Sequence, residues 1–252
     1  MATLNEAITD AKKIKAANKF LIIVTGYNCE RDVLPCYESL CIQEATWHAV
    51  FCNDGSTDGT GDEIKKCNVI SFSSEKNMGA AHVRYQAIHQ YGLFDDIVLL
   101  IGMDDKLLPG ALKKIETEYE KGKLMTYGNW KDYSGALCGA DLVFTKETHA
   151  NRDYRKVTYR STAPNTFRKF LFDEIPETDF QFQNEWIKST TESPLMFACL
   201  EMCGEERIGV IQEPIYHYNR ARKDNARTRM GAAYQQMIYD HVISQQKKPL
   251  YG

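Results

Sequence analysis

Residues 97–105 read Ile-Val-Leu-Leu-Ile-Gly-Met-Asp-Asp, a short apolar run that ends abruptly in two carboxylates, Asp104 and Asp105. Adjacent acids repel each other unless a cation or hydrogen-bond donors compensate them. A hard divalent ion carrying a nucleoside diphosphate would do so, because Mg2+ takes one or two protein carboxylates together with phosphate oxygens. The competing reading makes these acids a cap for the helix that follows Pro109.

A second polar turn, Asn53-Asp-Gly-Ser-Thr-Asp-Gly-Thr60, follows the apolar stretch that begins at His48. Gly55 and Gly59 permit tight turns and close ligand approach. The Asp54 carboxylate could accept the imide N–H of uracil or thymine, or the N1–H of guanine; cytosine offers an unprotonated N3 and fits poorly. The alternative is an Asx-turn, with Ser56 and Asp58 capping the next helix, and Asp58 is read as that cap. Asn77-Met-Gly-Ala-Ala-His-Val-Arg84 opens a helix whose terminal amides, with Arg84, suit a diphosphate. A lone arginine on a solvated face is the competing reading. His82 and His89 are read as ordinary polar or core histidines. His217, among tyrosines after Pro214, is either a late metal or diphosphate ligand or a hydrogen-bonded core residue. Arg220, Arg222, Lys223, Arg227 and Arg229 form a basic cluster that either closes over a diphosphate or makes a solvated face.

The elements that must position these residues alternate. An amphipathic helix with a capping-box start is expected over 3–18, then a strand over 20–25, a helix over 30–43 and a strand over 48–53. A further helix, a strand at 69–72, a helix near 78–91 and a strand at 97–102 complete the series. That order predicts a mainly parallel sheet covered by helices, and ligands in such folds bind at the carboxyl ends of the strands. A helix at 109–121 and a strand at 123–127 come next, then a Gly/Asn/Tyr-rich stretch to 135. Helices are expected at 165–175, 193–203 and 228–245, with a strand at 207–211. One α/β domain over 1–252 is expected: a ligand-binding half at about 20–130, a less regular half at about 131–219, and a basic segment with a helix at 220–252.

With 252 residues, 43% hydrophobic, the chain can bury a substantial core. A net charge of −3 gives no electrostatic case for nucleic-acid binding. No secretory h-region opens the chain and no apolar run approaches the ~20 residues that span a bilayer, so at most peripheral membrane contact is expected. The 8 cysteines lack a C-x-x-C pair, which suits buried free thiols in a reducing, cytoplasmic setting. No G-x-G-x-x-G follows a strand and no G-K-[ST] occurs, which disfavours dinucleotide oxidoreductases and P-loop NTPases.

Taken in order, Ile22-Ile-Val-Thr-Gly-Tyr-Asn28, Phe51-Cys-Asn-Asp-Gly-Ser-Thr-Asp-Gly-Thr60, Lys76-Asn-Met-Gly and Met103-Asp-Asp-Lys-Leu-Leu-Pro109 resemble family 2 glycosyltransferases, in particular bacterial and viral members. The resemblance implies the GT-A fold: a Rossmann-like, mainly parallel sheet flanked by helices, with a mixed acceptor-side region. It implies a nucleotide-sugar donor, UDP-linked by preference with GDP- and dTDP-sugars as alternatives, and Mn2+ or Mg2+ as cofactor. Thr25, Tyr27 and Asp54 would surround the nucleoside with Arg84 nearby. Asp104 and Asp105 would serve ribose, diphosphate and metal. Many members carry a further acid where this chain has Gly102, which leaves the division of labour between Asp104 and Asp105 open.

In the second half, the stretches Phe167–Ile175, Thr191–Met196 and Glu213–Asn219 resemble the family's acceptor side. There Glu192 falls where an acidic general base, commonly Asp, is usual, with Asp179 in reserve. The macrodipole offers another role for Glu192, as an acid at a helix start before Pro194. An inverting transfer to a hydroxyl on a glycan, lipid or protein is implied, with the sugar and acceptor unidentified. Two competing classes stand beside it. A nucleotidyltransferase would want a glycine- and basic-rich loop after the first strand, which Thr25-Gly-Tyr-Asn-Cys-Glu-Arg does not supply. A non-catalytic nucleotide-sugar-binding module is kept open by Gly102 and by Glu192 in place of Asp.

Overall fold

Strand β1 (Phe20–Gly26) is buried from Phe20 to Thr25 because helices cover both faces of the sheet it centres. Its residues alternate between two cores: Leu21 and Ile23 pack on one side, Phe20, Ile22 and Val24 on the other. Two-sided burial explains why this strand reads as a continuous apolar run. The computed structural model describes residues 20–137, 143–222 and 229–252. The helix expected at 3–18, together with Cys138, Lys223 and Arg227, lies outside the described residues.

The chain continues through α1 (Val33–Cys41), β2 (Trp47–Asn53), α2 (Thr60–Ile64), β3 (Ile70–Ser73), α3 (Ala80–Tyr91) and β4 (Ile97–Gly102). Next come β5 (Lys106–Leu107), α4 (Ala111–Glu120), β6 (Met125–Lys131), α5 (Lys146–Asn151), β7 (Asn165–Arg168) and α6 (Lys169–Asp173). A small hairpin of β8 (Gln181–Phe182) and β9 (Glu185–Trp186), then α7 (Ser193–Cys203), β10 (Ile208–His217) and α8 (Ala232–Ser244) complete the order. The main sheet runs β3-β2-β1-β4-β7-β6-β10-β5. β3, β2, β1 and β4 are parallel, β7 runs antiparallel to both β4 and β6, and β10 is parallel to β6. The sheet is therefore mixed on the side that follows β4.

The helix expected over 165–175 is corrected. Residues 165–168 are strand β7, wedged between β4 and β6, and the helix begins only at Lys169. Phe167, Phe170 and Leu171 mimic helical spacing, but two flanking strands offer residues 165–168 a ladder on each side, and tertiary pairing overrides so short a local pattern. β10 reaches Ile208–His217, well beyond the expected 207–211, because a register shift around Pro214 lets pairing with β6 resume.

On one face α1 and α4 pack Val33, Cys36, Leu40, Leu112 and Ile115 against the sheet; on the other lie α3, α6, α7 and α8. Buried Glu201 on α7 holds Arg155 through Oε1–Nε at 2.7 Å and Oε2–Nη2 at 3.1 Å, and it also accepts from the Lys248 amide. Arg152 donates to the carbonyls of Glu201 and Lys248, so the segment beyond α8 is tied to the core. Cys29, Cys36, Cys52, Cys67, Cys199 and Cys203 are buried free thiols, as expected, whereas Cys41 is exposed. Among the described residues no helix is long and apolar enough to cross a membrane.

Candidate functional site

β1 lies between β2 and β4, so the chain leaves it toward opposite sides of the sheet, the switch point where parallel sheets open a crevice. The three strands end level: Gly26 pairs with Asn53, and Thr25 with Gly102. The Asp54 amide donates to the Gly26 carbonyl and the Met103 amide to that of Thr25. The turns carrying Tyr27, Asp54 and Asp104–Asp105 therefore start from one rim.

Asp54 is buried, 4% exposed. Its Oδ1 accepts the Met78 amide at 2.8 Å and its Oδ2 the Gly79 amide at 2.9 Å. Burial raises its pKa above the ordinary carboxylate value, and these two N–H donors oppose the rise. The start of α3 thus spends two amides on Asp54, where the sequence suggested that they would meet a diphosphate. Gly55 is required here: at φ 68°, an added Cβ would lie 2.3 Å from the Lys76 carbonyl carbon. Each carboxylate oxygen keeps a further lone pair for an incoming N–H.

Asp105 is buried and both its oxygens are engaged. Oδ2 accepts the Tyr216 hydroxyl at 2.7 Å, and Oδ1 the Asn219 amide at 2.7 Å. The Tyr216 hydroxyl in turn accepts the Gly102 amide at 3.2 Å. Burial, and then the neighbouring Asp104, push the Asp105 carboxyl well above its usual range. Asp104 is less buried and faces Arg222, with Oδ2 to Nη1 at 3.6 Å. Arg222 also donates to the carbonyls of Tyr27 (2.6 Å) and Asn28 (3.0 Å), and Arg229 lies 4.8 Å over the Tyr27 ring. Two members of the basic cluster therefore close on the crevice, while Arg220 sits beside Trp130 and Asp132.

Arg84, also buried, joins the end of β1 to the turn before α7. Its Nε donates to Thr25 Oγ1 at 3.2 Å, and its Nη1 reaches Thr191 Oγ1 at 3.3 Å and Glu192 Oε1 at 2.9 Å. Glu192 Oε2 accepts from Asn165 Nδ2 at 2.6 Å. The carboxylate stands at the start of α7, partly open to solvent.

Contacts of Arg84 link Thr25 to Glu192, and those of Arg222 link Tyr27 to Asp104, beside Asp105, on the rim from which the Asp54 turn also starts. Asp179 does not join them. Its carboxylate pairs with Lys248 at 2.7 Å and its carbonyl accepts from Gln245, contacts that bind it to the segment after α8. His217 is likewise set aside. Its neighbour Tyr216 faces Asp105, so alternation along β10 turns the imidazole to the other face, where it packs 4.0 Å from the Tyr133 ring. Burial lowers its pKa, as expected of a packed histidine. Tyr216, Asn219 and Asn165 were not legible as site residues, since nothing in their local sequence marks a distant carboxylate as partner.

A divalent cation fits this donor set. Asp104 Oδ1 and Asp105 Oδ2 lie 2.9 and 2.8 Å from the point that a Cβ on residue 102 would occupy, so Gly102 leaves a cradle between the two carboxylates. Hard oxygen donors of this kind suit Mg2+ or Mn2+ with phosphate oxygens completing the shell. Among the described residues no cluster of three or more His, Cys, Asp or Glu converges, so protein atoms alone would not complete such a shell.

The sequence pattern of glycosyl transferase family 2 matches residues 21–176. The chain is 32% identical over 139 residues to the uncharacterized glycosyltransferase YibD of Escherichia coli strain K12, a match that covers 52% of this chain and 36% of that protein. It therefore spans little more than a third of the length of that relative. Among solved structures, TarS 1–349 of S. aureus in complex with UDP superposes with TM-score 0.60 at 22% identity, over 80% of this chain and 60% of that one. Glucosyl-3-phosphoglycerate synthase of Mycobacterium tuberculosis with Mn2+, UDP and phosphoglyceric acid gives TM-score 0.63 at 12% identity, over 95% and 83%. The mannosyltransferase PcManGT of Pyrobaculum calidifontis with GDP-Man and Mn2+ gives 0.59 at 13%, over 96% and 72%. The expected GT-A architecture, a mostly parallel sheet flanked by helices with antiparallel strands on one side, is the fold of this chain.

Proposed function

We infer that this chain, which belongs to glycosyl transferase family 2, moves a sugar from a nucleoside-diphosphate sugar, UDP-linked by preference, to a hydroxyl acceptor with inversion at the anomeric carbon. The observation that carries this reading is the rim itself. A buried carboxylate with lone pairs to spare, two converging acids and an arginine–glutamate pair meet at the switch point of the sheet. The UDP, GDP-Man and Mn2+ complexes of its structural neighbours support the donor class.

In this reading Asp54 accepts the imide N–H of the base and Tyr27 flanks it. Asp104 and Asp105 would hold Mn2+ or Mg2+, which when bound would supply positive charge beside the departing phosphate. Arg222, anchored on the carbonyls of Tyr27 and Asn28, and Arg84 add fixed cations beside it. Glu192 takes the proton of the acceptor hydroxyl as that oxygen attacks the anomeric carbon. Its oxygens are oriented by Arg84 and Asn165, and each keeps a second lone pair for this task.

Thermal-shift measurement against UDP, dTDP, GDP and CDP, with and without Mn2+, tests the donor half. UDP with Mn2+ should stabilise the chain most, Asp105→Ala should abolish the metal-dependent part, and Asp104→Ala should weaken it. Stabilisation by none of these nucleotides would overturn the reading. UDP release from a panel of UDP-sugars then separates an enzyme from a module that binds donor without turnover.

A further inference from the structure

Beside Glu192 lies an open cavity of about 430 Å³. Tyr159, the segment Thr190–Ser193, and Gln235 and Tyr239 of α8 line it. Resting on the donor reading above, the geometry points to this cavity as the acceptor site, built for an uncharged pyranose rather than for a phosphorylated or carboxylated acceptor.

Charge is the first argument. Among the described lining residues none is cationic, and the acid present is Glu192 itself. Arg84, which contacts Glu192, is also engaged with Thr191 and Thr25. Among the described lining residues, an anionic acceptor would face the Glu192 carboxylate with no cation to compensate it, which is unfavourable in a partly buried site. The lining chemistry is the second argument. Tyr159 stands edge-on to Phe197 with centroids 5.2 Å apart, and Tyr239 lies 6.5 Å from the same ring, so both are held on a packed aromatic base. The Tyr239 ring with its hydroxyl suits a sugar's C–H face and its hydroxyls, whereas the Tyr159 hydroxyl is buried and leaves only that ring to the cavity wall. The Gln235 amide, with two donors and an acceptor, makes no side-chain hydrogen bond to another described residue. The third argument is backbone conformation. Thr190 adopts φ 49°, a left-handed conformation that a β-branched residue rarely takes. That turn presents Thr191 and Glu192 between Arg84 and the cavity, where a bound hydroxyl would reach the proposed base.

The test uses the full chain with UDP and Mn2+ present. Binding of four uncharged phenyl pyranosides (gluco, galacto, manno and N-acetylglucosamine) is compared by saturation-transfer NMR with that of glucose 6-phosphate and phosphoglyceric acid. At least one neutral glycoside should bind, and more tightly than either anion. Tyr239→Ala and Gln235→Ala should each weaken it by roughly tenfold, the scale of one lost stacking or polar contact, with UDP affinity and melting temperature preserved. Tyr239→Phe, which keeps the ring, should retain most of the binding. UDP bound with no pyranoside bound, tighter binding of an anion, or indifference to both α8 variants would each overturn the acceptor inference alone. Failure to bind UDP would instead remove the donor reading on which it rests, and the inference with it.

Discussion

Arg84 and Glu192 meet at 2.9 Å, and through that contact the floor of the donor crevice is joined to the start of α7. The same guanidinium touches Thr25 at the end of β1, so a carboxylate proposed to handle the acceptor proton is braced from the strand that centres the sheet.

Glu192→Gln keeps the hydrogen-bonding shape and removes the base. Transfer should fall by about 10²–10⁴-fold, the usual contribution of a general base, with UDP affinity nearly unchanged. Asp179→Asn, at a residue bound to Lys248 away from the crevice, should transfer at the wild-type rate. Steady-state kinetics on both variants checks this, and near-normal transfer by Glu192→Gln would remove it from the mechanism.

Asp54 should discriminate UDP from CDP by ~1–3 kcal/mol, the cost of facing a buried acceptor with another acceptor. Its folded pKa is raised from the ordinary 3.8 by burial. Between those two values the native chain holds more protons than the unfolded one, so this group's contribution to stability falls as pH rises through the window. The same titration sets selectivity. A protonated Asp54 can donate to cytosine N3, so the UDP-to-CDP affinity ratio should narrow as pH drops through the raised pKa. Calorimetric titration of both nucleotides follows the ratio, and a ratio independent of pH would count against base recognition by Asp54.

Gly102→Ala would place a methyl 2.8 Å from Asp105 Oδ2 and 2.9 Å from Asp104 Oδ1. The carboxylates must then part, and Mn2+ affinity in the presence of UDP should drop by roughly 10–100-fold, as when the supports of a metal ligand are disturbed. Titration of Mn2+ by electron paramagnetic resonance reads the loss directly. An unchanged affinity would show that the cradle has no part in cation binding.

Removing one partner of the Arg155–Glu201 pair strands a charge in the core. Arg155→Met or Glu201→Leu alone should cost about 3–5 kcal/mol, whereas the double variant should recover most of that. Urea unfolding followed by circular dichroism provides the values. Because the pair also ties down the segment beyond α8, the single variants should weaken glycoside binding as well.

The donor rim was readable because each of its strands is an apolar run that stops at polar residues. β1, β2 and β4 could be placed within a residue or two, and with them Thr25, Asp54 and Asp104. What escaped was long-range. Residues 165–168 carry a spacing that suits a helix, and only the neighbouring strands make them β7. Tyr216 and His217 are adjacent tyrosine-cluster residues, and alternation along β10 sends one to Asp105 and the other to Tyr133. Arg222 stood in a basic cluster with two open readings. Its contacts with Tyr27 and Asn28 depend on where the chain returns after β10.

Asp105 receives its hydrogen bonds from residues 111 and 114 positions further along the chain. During synthesis the N-terminal strands can emerge and pair well before Tyr216 and Asn219 exist. Until then the adjacent carboxylates have neither donor in place, and their mutual repulsion opposes closure of the turn they sit in. Loops of that length close slowly compared with local helix and strand pairing. The crevice therefore matures last, and a chain released before β10 would carry a recognisable sheet with an unfinished rim.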